Sequence, residues 1–458
     1  MTAASCLWPA GAAALLGVCV GTAMAFAGEV SRVPAPKDRH WVFAHYMVCF
    51  ATYGEKVEAY QREMKEAQAA GIDGFALNCG AWKKEPHYMR RAKLIYEAAE
   101  KLGTGFQLFF SADGPPSEAE VVDMVKTYAS HPNQFRWQGR AVLSTFGGSK
   151  AAWREKVFSP LKEAGIEVFF VPFFYPEPVT ELPGDAAVAK HVQRWADLAD
   201  GLFFFGAAGQ PRELAACNTS YAKHLKAAGK LCMAGYTPHY WGMKQPDRRY
   251  YETLGGEGTE IQWSAIIQAQ PEWVEIVTWN DWGESSYVAP VEDPAQWAPF
   301  LTAGLHKSHA GYLELSKYFI EWYKTGTQPP VRQETLFYFY RTHPKDALAE
   351  DKPVTGRHGP VEDVLYLTTM LKEPAELRVN TGEKEVKLDA PAGLKHHRVP
   401  FSPGPQRFEV LRDGRKLIQT EGPAIEARIK LYNFVPASGF AVVGEGRASA
   451  EPAPARKD

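Results

Sequence analysis

The feature that most constrains the fold is a regular alternation of apolar runs and helix-like segments between residues 41 and 323. Eight short runs rich in β-branched and aromatic residues stand at 41–48, 74–77, 106–110, 141–145, 167–172, 201–205, 231–234 and 274–278. Near-continuous apolar strands separated by helices are typical of a parallel sheet that is covered on both faces. Eight such repeats favour a (β/α)8 TIM barrel, and a doubly wound open sheet is the alternative.

The pattern changes after Gly326. Gln328-Pro329-Pro330 marks a boundary, and short strand-like runs separated by Gly, Pro and Asp turns follow it. This spacing predicts a C-terminal β-sandwich domain. We therefore predict four segments, namely a signal peptide at 1–27, the barrel at 28–326, the β-sandwich at 327–443 and a disordered tail at 444–458.

The first 27 residues resemble a secretory signal. Leu7–Val20 is apolar and Ala23-Met24-Ala25 is a small-residue cleavage pattern, although no Lys or Arg precedes Arg32. The apolar run is short for a membrane span, so we expect a secreted or periplasmic protein without a membrane anchor. The net charge of −2 gives no reason to expect a nucleic-acid partner. We expect a monomer that binds a polysaccharide or oligosaccharide.

Removal of the signal would leave four cysteines, at positions 49, 79, 217 and 232. None of them has the C-x-x-C spacing of a metal site, so we expect neither a metal nor another cofactor. In an oxidising compartment one or two disulfides could form, and buried free thiols are the alternative.

The last apolar run ends in the stretch VEIVTWNDWGESSY, which places Asp281 and Glu284 three residues apart just past a strand. Paired carboxylates among aromatic rings suit the hydrolysis of a sugar linkage, because one acid protonates the leaving oxygen while the other activates water or attacks. Neighbouring rings exclude water and raise the pKa of an acid. The plainer interpretation is a solvated loop with a helix cap.

Polar and aromatic residues also follow the other predicted strands. Barrel active sites form at the C-terminal ends of the strands, so these side chains are expected to converge. The candidate substrate-binding residues are His45, Tyr46, Asn78, Asp113, Tyr175, Tyr236, His239, Trp241, Trp279, Asn280 and Trp282. Each of them alone has a plainer explanation, such as a histidine at the edge of the core or an aspartate that begins a helix. Their shared position is what favours a site.

Several of these stretches together resemble glycoside hydrolase family 71, the endo-1,3-α-glucanases or mutanases. The stretches are HWVFAHYMV, EMKEAQAAGIDGFALNCG, FQLFFSAD, AVLSTFGG, AGYTPHYW and VTWNDWGESSYV, in order from about His40 to Tyr340. The resemblance implies a barrel with an appended β-rich domain, secretion, and inverting hydrolysis of α-1,3-glucan. The catalytic D-x-x-E pair of the family falls on Asp281 and Glu284. The chain departs from the family at Cys49-Phe50 and at Ala207-Ala208.

We take Glu284 as the general acid and Asp281 as the base, and the reverse order is open at this stage. Asp113 is a candidate for fixing a sugar hydroxyl. Two other functions are compatible with these residues: an endo-acting glycosidase on a different α-linked glycan, and a non-catalytic glycan-binding protein. The C-terminal domain is expected to pack against the barrel through Trp322, Tyr338 and Tyr340.

Overall fold

Eight parallel strands form the centre of the N-terminal part of the chain. The computed structural model describes residues 40–113, 117–297, 301 and 304–444. The strands are β1 (Trp41–Met47), β2 (Gly74–Cys79), β3 (Gln107–Ala112), β4 (Arg140–Thr145), β5 (Val168–Phe170), β6 (Gly201–Phe203), β7 (Leu231–Tyr236) and β8 (Trp273–Ile276). They lie side by side in the order β5-β4-β3-β2-β1-β8-β7-β6, and a short antiparallel strand, Arg136–Trp137, pairs with β4.

The first and last strands of this sheet are neighbours. Trp41 of β1 pairs with Trp273 of β8 in a parallel register. β5 and β6 stand at the two ends of the order. The N–H of Asp200 donates to the carbonyl of Phe170, and the N–H of Phe203 donates to that of Pro172, each at 2.9 Å. Backbone hydrogen bonds therefore also connect the β5 and β6 segments.

Helical segments separate the strands in every repeat, as the sequence predicts. They are α1 (Val57–Ala69), α2 (Pro86–Leu102), α3 (Glu118–Tyr128), α4 (Lys150–Ala152), α5 (Ser159–Glu163), α6 (Asp185–Trp195), α7 (Pro211–Ala227), α8 (Gly255–Ala269) and α9 (Ala310–Thr325). A π-helix, Trp153–Phe158, connects α4 to α5, and a short 3-10 helix spans Pro294–Gln296. Among the described residues, no helix has the length and apolar character needed to cross a membrane.

Alternate residues of each strand face opposite sides of the sheet, since the side-chain period of a strand is two. In β1, Trp41 and Phe43 belong to an aromatic cluster enclosed by the strands. Val42, Ala44 and Tyr46 belong instead to the larger cluster beneath the helices. This alternation decides which strand-end side chains point inward.

Eight longer strands follow α9. They are β9 (Thr335–Tyr340), β10 (Val364–Leu371), β11 (Ala375–Thr381), β12 (Lys384–Ala390), β13 (Gly393–Pro400), β14 (Gly404–Arg412), β15 (Arg415–Ile425) and β16 (Ala437–Val442). They form two antiparallel four-stranded sheets, ordered β13-β10-β9-β16 and β12-β11-β14-β15. Both sheets contribute to one apolar cluster, with Leu336 and Leu367 from the first and Leu377 and Phe408 from the second.

Two small parallel ladders complete the described structure. Leu348–Ala349 pairs with Arg428–Ile429. Arg357–His358 pairs with Tyr250–Tyr251, which lies between β7 and α8. The second ladder therefore connects the C-terminal region directly to a loop at the C-terminal ends of the parallel strands.

Strand β9 has two buried faces. Tyr338 and Tyr340 point toward the second C-terminal sheet, whereas Phe337 and Phe339 pack into the large cluster under the helices. The ring of Phe339 lies 4.6 Å from that of Tyr312 in α9. The two phenylalanines, and not the two tyrosines that we expected, therefore contact the N-terminal part of the chain. The prediction for the two tyrosines failed because it ignored the alternation along the strand, whereas Trp322 packs against the same cluster as the phenylalanines.

The start of α8 approaches β9 closely. A Cβ atom added to Gly255 would lie 2.8 Å from the Cβ atom of Phe339, and the φ of Gly255 is +55°. A larger residue here would be strained and would push the strand away. The glycine therefore permits the close contact between this helix and the first C-terminal sheet.

Candidate active site

A cavity of about 230 Å³ opens at the C-terminal ends of the parallel strands. Side chains from the ends of most of the strands converge on it. Its lining consists of His45, Met47, Asn78, Asp113, Phe146, Phe173, Tyr175, Glu181, Phe205, Gly206, Ala207, Ala208, Tyr240, Arg249, Asp281 and Glu284. Carboxylates and aromatic rings together make up much of this wall.

The turn after β8 is fixed by hydrogen bonds within it. The backbone N–H of Asp281 donates to Thr278 Oγ1 at 2.8 Å, and Asp281 Oδ1 accepts from the N–H of Glu284 at 2.9 Å. The Asn280 side chain accepts from the N–H of Met47 at 2.7 Å and donates to the carbonyl of Phe50 at 2.6 Å. These bonds tie the turn to the end of β1 and direct both acids toward the cavity.

A line of hydrogen bonds crosses the floor of the cavity. The Nδ2 group of Asn78 donates to Asp113 Oδ2 at 2.8 Å and to His45 Nε2 at 3.0 Å. Because an amide nitrogen only donates, His45 Nε2 is the acceptor and its proton lies on Nδ1. Nδ1 donates this proton to Glu275 Oε1, which lies 2.6 Å from the nitrogen. Glu275 thereby orients His45, and through it Asn78 and Asp113.

The opposite wall carries a second polar network. The hydroxyl of Tyr240 donates to Glu284 Oε1 at 3.2 Å. The guanidinium of Arg249 donates to the oxygen of Tyr240 at 2.9 Å and to both carboxylate oxygens of Glu181 at 2.9 and 3.0 Å. Glu284 therefore has a phenol, a cation and a further carboxylate close to it.

Burial changes the protonation of the two acids. Burial raises the pKa of Asp281, and backbone N–H groups of Glu284 and Gly283 partly oppose that change. Burial, followed by the charge of Asp281, raises the pKa of Glu284 to about 8, against the opposing effects of Tyr240 and Arg249. Two neighbouring carboxyls whose environments differ in this way can serve as a proton donor and a base near neutral pH.

Six of the predicted site residues line the cavity, and seven do not. Those that line it are His45, Asn78, Asp113, Tyr175, Asp281 and Glu284. The expectation that the remaining seven face a substrate in this cavity disagrees with the positions that the structure gives them.

Tyr46 and Tyr236 lie on the helix-facing side of their strands, because each stands an odd number of residues from the inward positions. The hydroxyl of Tyr46 donates to Glu63 of α1 at 2.8 Å, and the indole N–H of Trp279 donates to the same carboxyl at 2.8 Å. The Tyr236 hydroxyl lies 3.0 Å from Thr259 Oγ1. All three rings are fully buried.

The other four residues support the loops around the cavity. Asn280 connects two turns, as described above, and His239 Nδ1 lies 3.0 Å from the carbonyl oxygen of Ser285. The ring of Trp241 packs 6.1 Å from that of Phe434, and the ring of Trp282 packs 4.4 Å from that of Tyr287. The indoles therefore contribute to packing beneath the site.

Ten lining residues were not among the predicted site residues. They are Met47, Phe146, Phe173, Glu181, Phe205, Gly206, Ala207, Ala208, Tyr240 and Arg249. Phe205 stands two residues after Phe203 of β6, an inward position, so strand periodicity could have found it. Glu181 and Arg249 lie in loops, and no local sequence pattern marks them.

The family model of glycosyl hydrolase family 71 matches residues 38–450. The chain belongs to glycosyl hydrolase family 71. This family 71 chain is therefore a glycoside hydrolase, and the resemblance inferred from its sequence is confirmed.

This family 71 chain is similar in sequence to three fungal proteins over most of their length. It is 28% identical to a mutanase of Penicillium rubens, over 91% of this chain and 92% of the relative. It is 29% identical to a glucan endo-1,3-alpha-glucosidase of Schizosaccharomyces pombe, over 86% and 92% of the two chains. It is 26% identical to an ascus wall endo-1,3-alpha-glucanase of the same yeast, over 86% and 95%.

Proposed function

We propose that the protein hydrolyses α-1,3-glucosidic bonds of α-glucan at this cavity, with Glu284 as the general acid and Asp281 as the base. The observation that carries the proposal is the pair of buried carboxyls on one turn, of which Glu284 has a pKa raised to about 8. A carboxyl that keeps its proton near neutral pH can give it to the leaving oxygen. The names of the three relatives, a mutanase, a glucan endo-1,3-alpha-glucosidase and an endo-1,3-alpha-glucanase, support the choice of linkage.

In this mechanism Glu284 protonates the glycosidic oxygen while Asp281 removes a proton from the attacking water. The backbone N–H of Glu284, which donates to Asp281, holds the base in one orientation. Asp113 and Asn78, at the floor of the cavity, bind hydroxyl groups of the sugar and place it against the acids. We propose inversion at the anomeric carbon, so the first product seen by proton NMR should be the β-anomer.

For the architecture we propose a closed (β/α)8 barrel at 28–326 and a β-sandwich at 327–443. The pairing of β1 with β8 and the hydrogen bonds between the β5 and β6 segments support closure. The apolar cluster shared by two four-stranded antiparallel sheets supports the sandwich.

We also propose export through a signal peptide at 1–27, which lies outside the described residues, as do positions 445–458 of the predicted tail. N-terminal sequencing of protein recovered from the culture medium tests the cleavage.

The release of reducing ends from insoluble α-1,3-glucan tests the activity. The variants Asp281→Asn and Glu284→Gln should each lower the rate at least about 100-fold, since general acid–base catalysis contributes 10²–10⁴. Both variants should keep the melting temperature and still bind the glucan. Wild-type turnover by either variant would exclude that residue as a catalyst.

The same assay separates the remaining alternatives. Release from α-mannan or from another α-glucan, with none from α-1,3-glucan, would show a glycosidase of different specificity. Binding to the glucan without any release would show a non-catalytic binding protein. The matched control is Glu58→Gln, at an exposed position on α1. This variant should change neither the release of reducing ends nor the binding to the glucan.

A further inference from the structure

The loop that follows β7 determines the direction of the hydrogen bond between Tyr240 and Glu284. The oxygen of Tyr240 accepts hydrogen bonds from Gln245 Nε2 and Arg249 Nη2, both at 2.9 Å. A phenol oxygen has two lone pairs, so these donors occupy both of them. The O–H of Tyr240 is then left to donate, and it donates to Glu284 Oε1.

Backbone hydrogen bonds to Gly356, about a hundred residues later in the chain, hold this loop in place. The N–H of Tyr250 donates to the carbonyl of Gly356 at 2.8 Å, and the N–H of Gly356 donates to that of Asp247 at 2.8 Å. The loop also pairs in parallel with Arg357–His358. Asp247 and Tyr250, which bond to Gly356, stand before and after Arg249 in the loop. A displacement of the C-terminal segment would therefore also displace Arg249.

Side chains reinforce the same contact. Arg248 Nη1 lies 2.5 Å from Asp351 Oδ2, and both side chains are mostly buried. Arg248 Nη2 also donates to the carbonyl of Lys352. The ring of His358 stacks on that of Tyr251, with centroids 4.7 Å apart and planes 16° apart.

We propose that the segment Asp351–His358 fixes the loop of residues 240–251 and thereby sets the hydrogen bond that Tyr240 donates to Glu284. Tyr240 and Arg249 are then positioning residues for the acid, and the C-terminal region takes part in its protonation. The inference rests on the proposed role of Glu284 as the general acid.

The charged and titratable groups that face Glu284 come from three elements. Asp281 lies on its own turn, Tyr240 and Arg249 lie on the loop after β7, and Glu181 and Tyr175 lie on the segment after β5. A hydrogen-bond donor or a cation favours the ionised carboxyl, whereas a carboxylate disfavours it. Tyr240→Phe and Arg249→Gln should therefore raise the pKa of Glu284, and Glu181→Gln should lower it.

A substitution at Gly356 would disturb the contact between the two segments without changing a residue that lines the cavity. A Cβ atom at this position would lie 2.9 Å from the Cα atom of Arg249 and 2.7 Å from Asp247 Oδ2. Gly356→Ala should therefore move the backbone of Arg249 away from the segment and weaken its bond to Tyr240. Asp351→Asn removes the ion pair with Arg248 without adding volume. The control is Gly184→Ala at the start of α6, where a Cβ atom meets nothing within 4 Å.

The experiment follows the carboxyl band of Glu284 by infrared difference spectroscopy against pH, with Glu284→Gln identifying the band. Tyr240→Phe and Arg249→Gln should raise its midpoint by about 0.5 to 1 pH unit, the equivalent of one hydrogen bond. Gly356→Ala and Asp351→Asn should raise it by a smaller amount, and Gly184→Ala should leave it unchanged. Melting curves confirm that each variant is folded.

Two results would overturn the inference. One is a Glu284 midpoint that stays the same in Tyr240→Phe, and the other is a midpoint in Gly356→Ala and Asp351→Asn equal to that of Gly184→Ala. Because the titration needs no turnover, it remains informative if the proposed function fails. That failure would be seen separately, as undiminished release of reducing ends by Glu284→Gln.

Discussion

The aromatic side chains near the cavity fall into two groups that differ in solvent exposure. Tyr175 is 39% exposed at the edge of the cavity, whereas Trp279 and Trp282 are fully buried beneath it. A ring at a cavity edge can stack on the apolar face of a sugar. A buried ring that packs on Tyr287 stabilises the fold.

This difference predicts opposite effects of two alanine substitutions. Tyr175→Ala should raise KM for soluble α-1,3-glucan oligosaccharides and change the melting temperature little. Trp282→Ala should destabilise the protein by about 3–5 kcal/mol, as large-to-small core substitutions of aromatic residues do. Denaturant unfolding and steady-state kinetics on both variants provide the measurement. An unchanged stability in Trp282→Ala together with a raised KM would assign that indole to the substrate instead.

The protonation states of the two acids predict a bell-shaped pH profile. In the proposed mechanism Glu284 must be protonated, and its pKa is raised to about 8, so kcat/KM should fall as the pH rises through about 8. The proposed base Asp281 must be ionised, and its pKa is raised by burial, so the rate should fall as the pH drops through that raised value. The profile of kcat/KM on a soluble oligosaccharide checks both limbs. A basic limb that lies near the ordinary glutamate range would contradict the assigned roles.

At the scale of elements, Glu63 connects α1 to two strand ends. Its buried carboxyl accepts hydrogen bonds from Tyr46 and from Trp279, which stands just before Asp281 and Glu284 in the turn after β8. Burial raises the pKa of Glu63 from 4.5 to about 7, against the opposing hydrogen bonds from Tyr46 and Trp279. The helix thereby fixes the turn through a group that titrates near neutral pH.

The raised pKa predicts a loss of stability with increasing pH. Below pH 4.5 Glu63 is protonated in both states, and between about 4.5 and 7 only the unfolded state releases the proton, so unfolding becomes easier. This effect amounts to about 3 kcal/mol at most. Glu63→Gln should remove that part of the pH dependence, and Glu58→Gln, exposed on the same helix, should retain it. Urea unfolding at pH 4.5 and at pH 8 measures the free energy of unfolding of each variant. An equal change in that free energy between the two pH values in both variants would contradict the prediction.

The sequence predicts the elements better than it predicts the site. Apolar strands alternate with helices because each strand is buried on both faces, and that local pattern is readable. Tyr46 and Tyr236 were assigned to the site from their place at strand ends, and the alternation of side chains puts them on the other face. The acids after β8 could be predicted because they lie on one continuous turn. Arg249 could not, because its position depends on residues about a hundred positions later.

At the scale of the whole molecule, the two C-terminal sheets are joined to the N-terminal part through β9. Phe337 and Phe339 pack into the cluster beneath the helices, and the start of α8 is shaped for that contact. The segment Asp351–His358 adds a second contact beside the cavity. The C-terminal region therefore covers apolar surface and also touches the loop that carries Arg249.

These contacts predict that the N-terminal part does not function alone. Residues 29–326 expressed without the remainder should be insoluble or inactive, because the surface covered by β9 would face water. The control is the chain from residue 29 to residue 458 in the same vector. Solubility by centrifugation and reducing-end release provide the measurement. Soluble protein with full activity on short oligosaccharides would show that the C-terminal region is dispensable.

The four cysteines among the described residues are free thiols, and three of them are buried. Burial raises the pKa of Cys217 to about 12, and burial together with the charge of Asp281 does the same for Cys49. A protonated, enclosed sulfur reacts slowly with alkylating reagents. Because no disulfide joins these four cysteines, folding needs no oxidant at them. Protein made in a reducing cytosol should therefore have the same melting temperature as protein exported to an oxidising compartment. Iodoacetamide would then label the three enclosed sulfurs only when the chain opens, so the mass gained over time records the rate of unfolding.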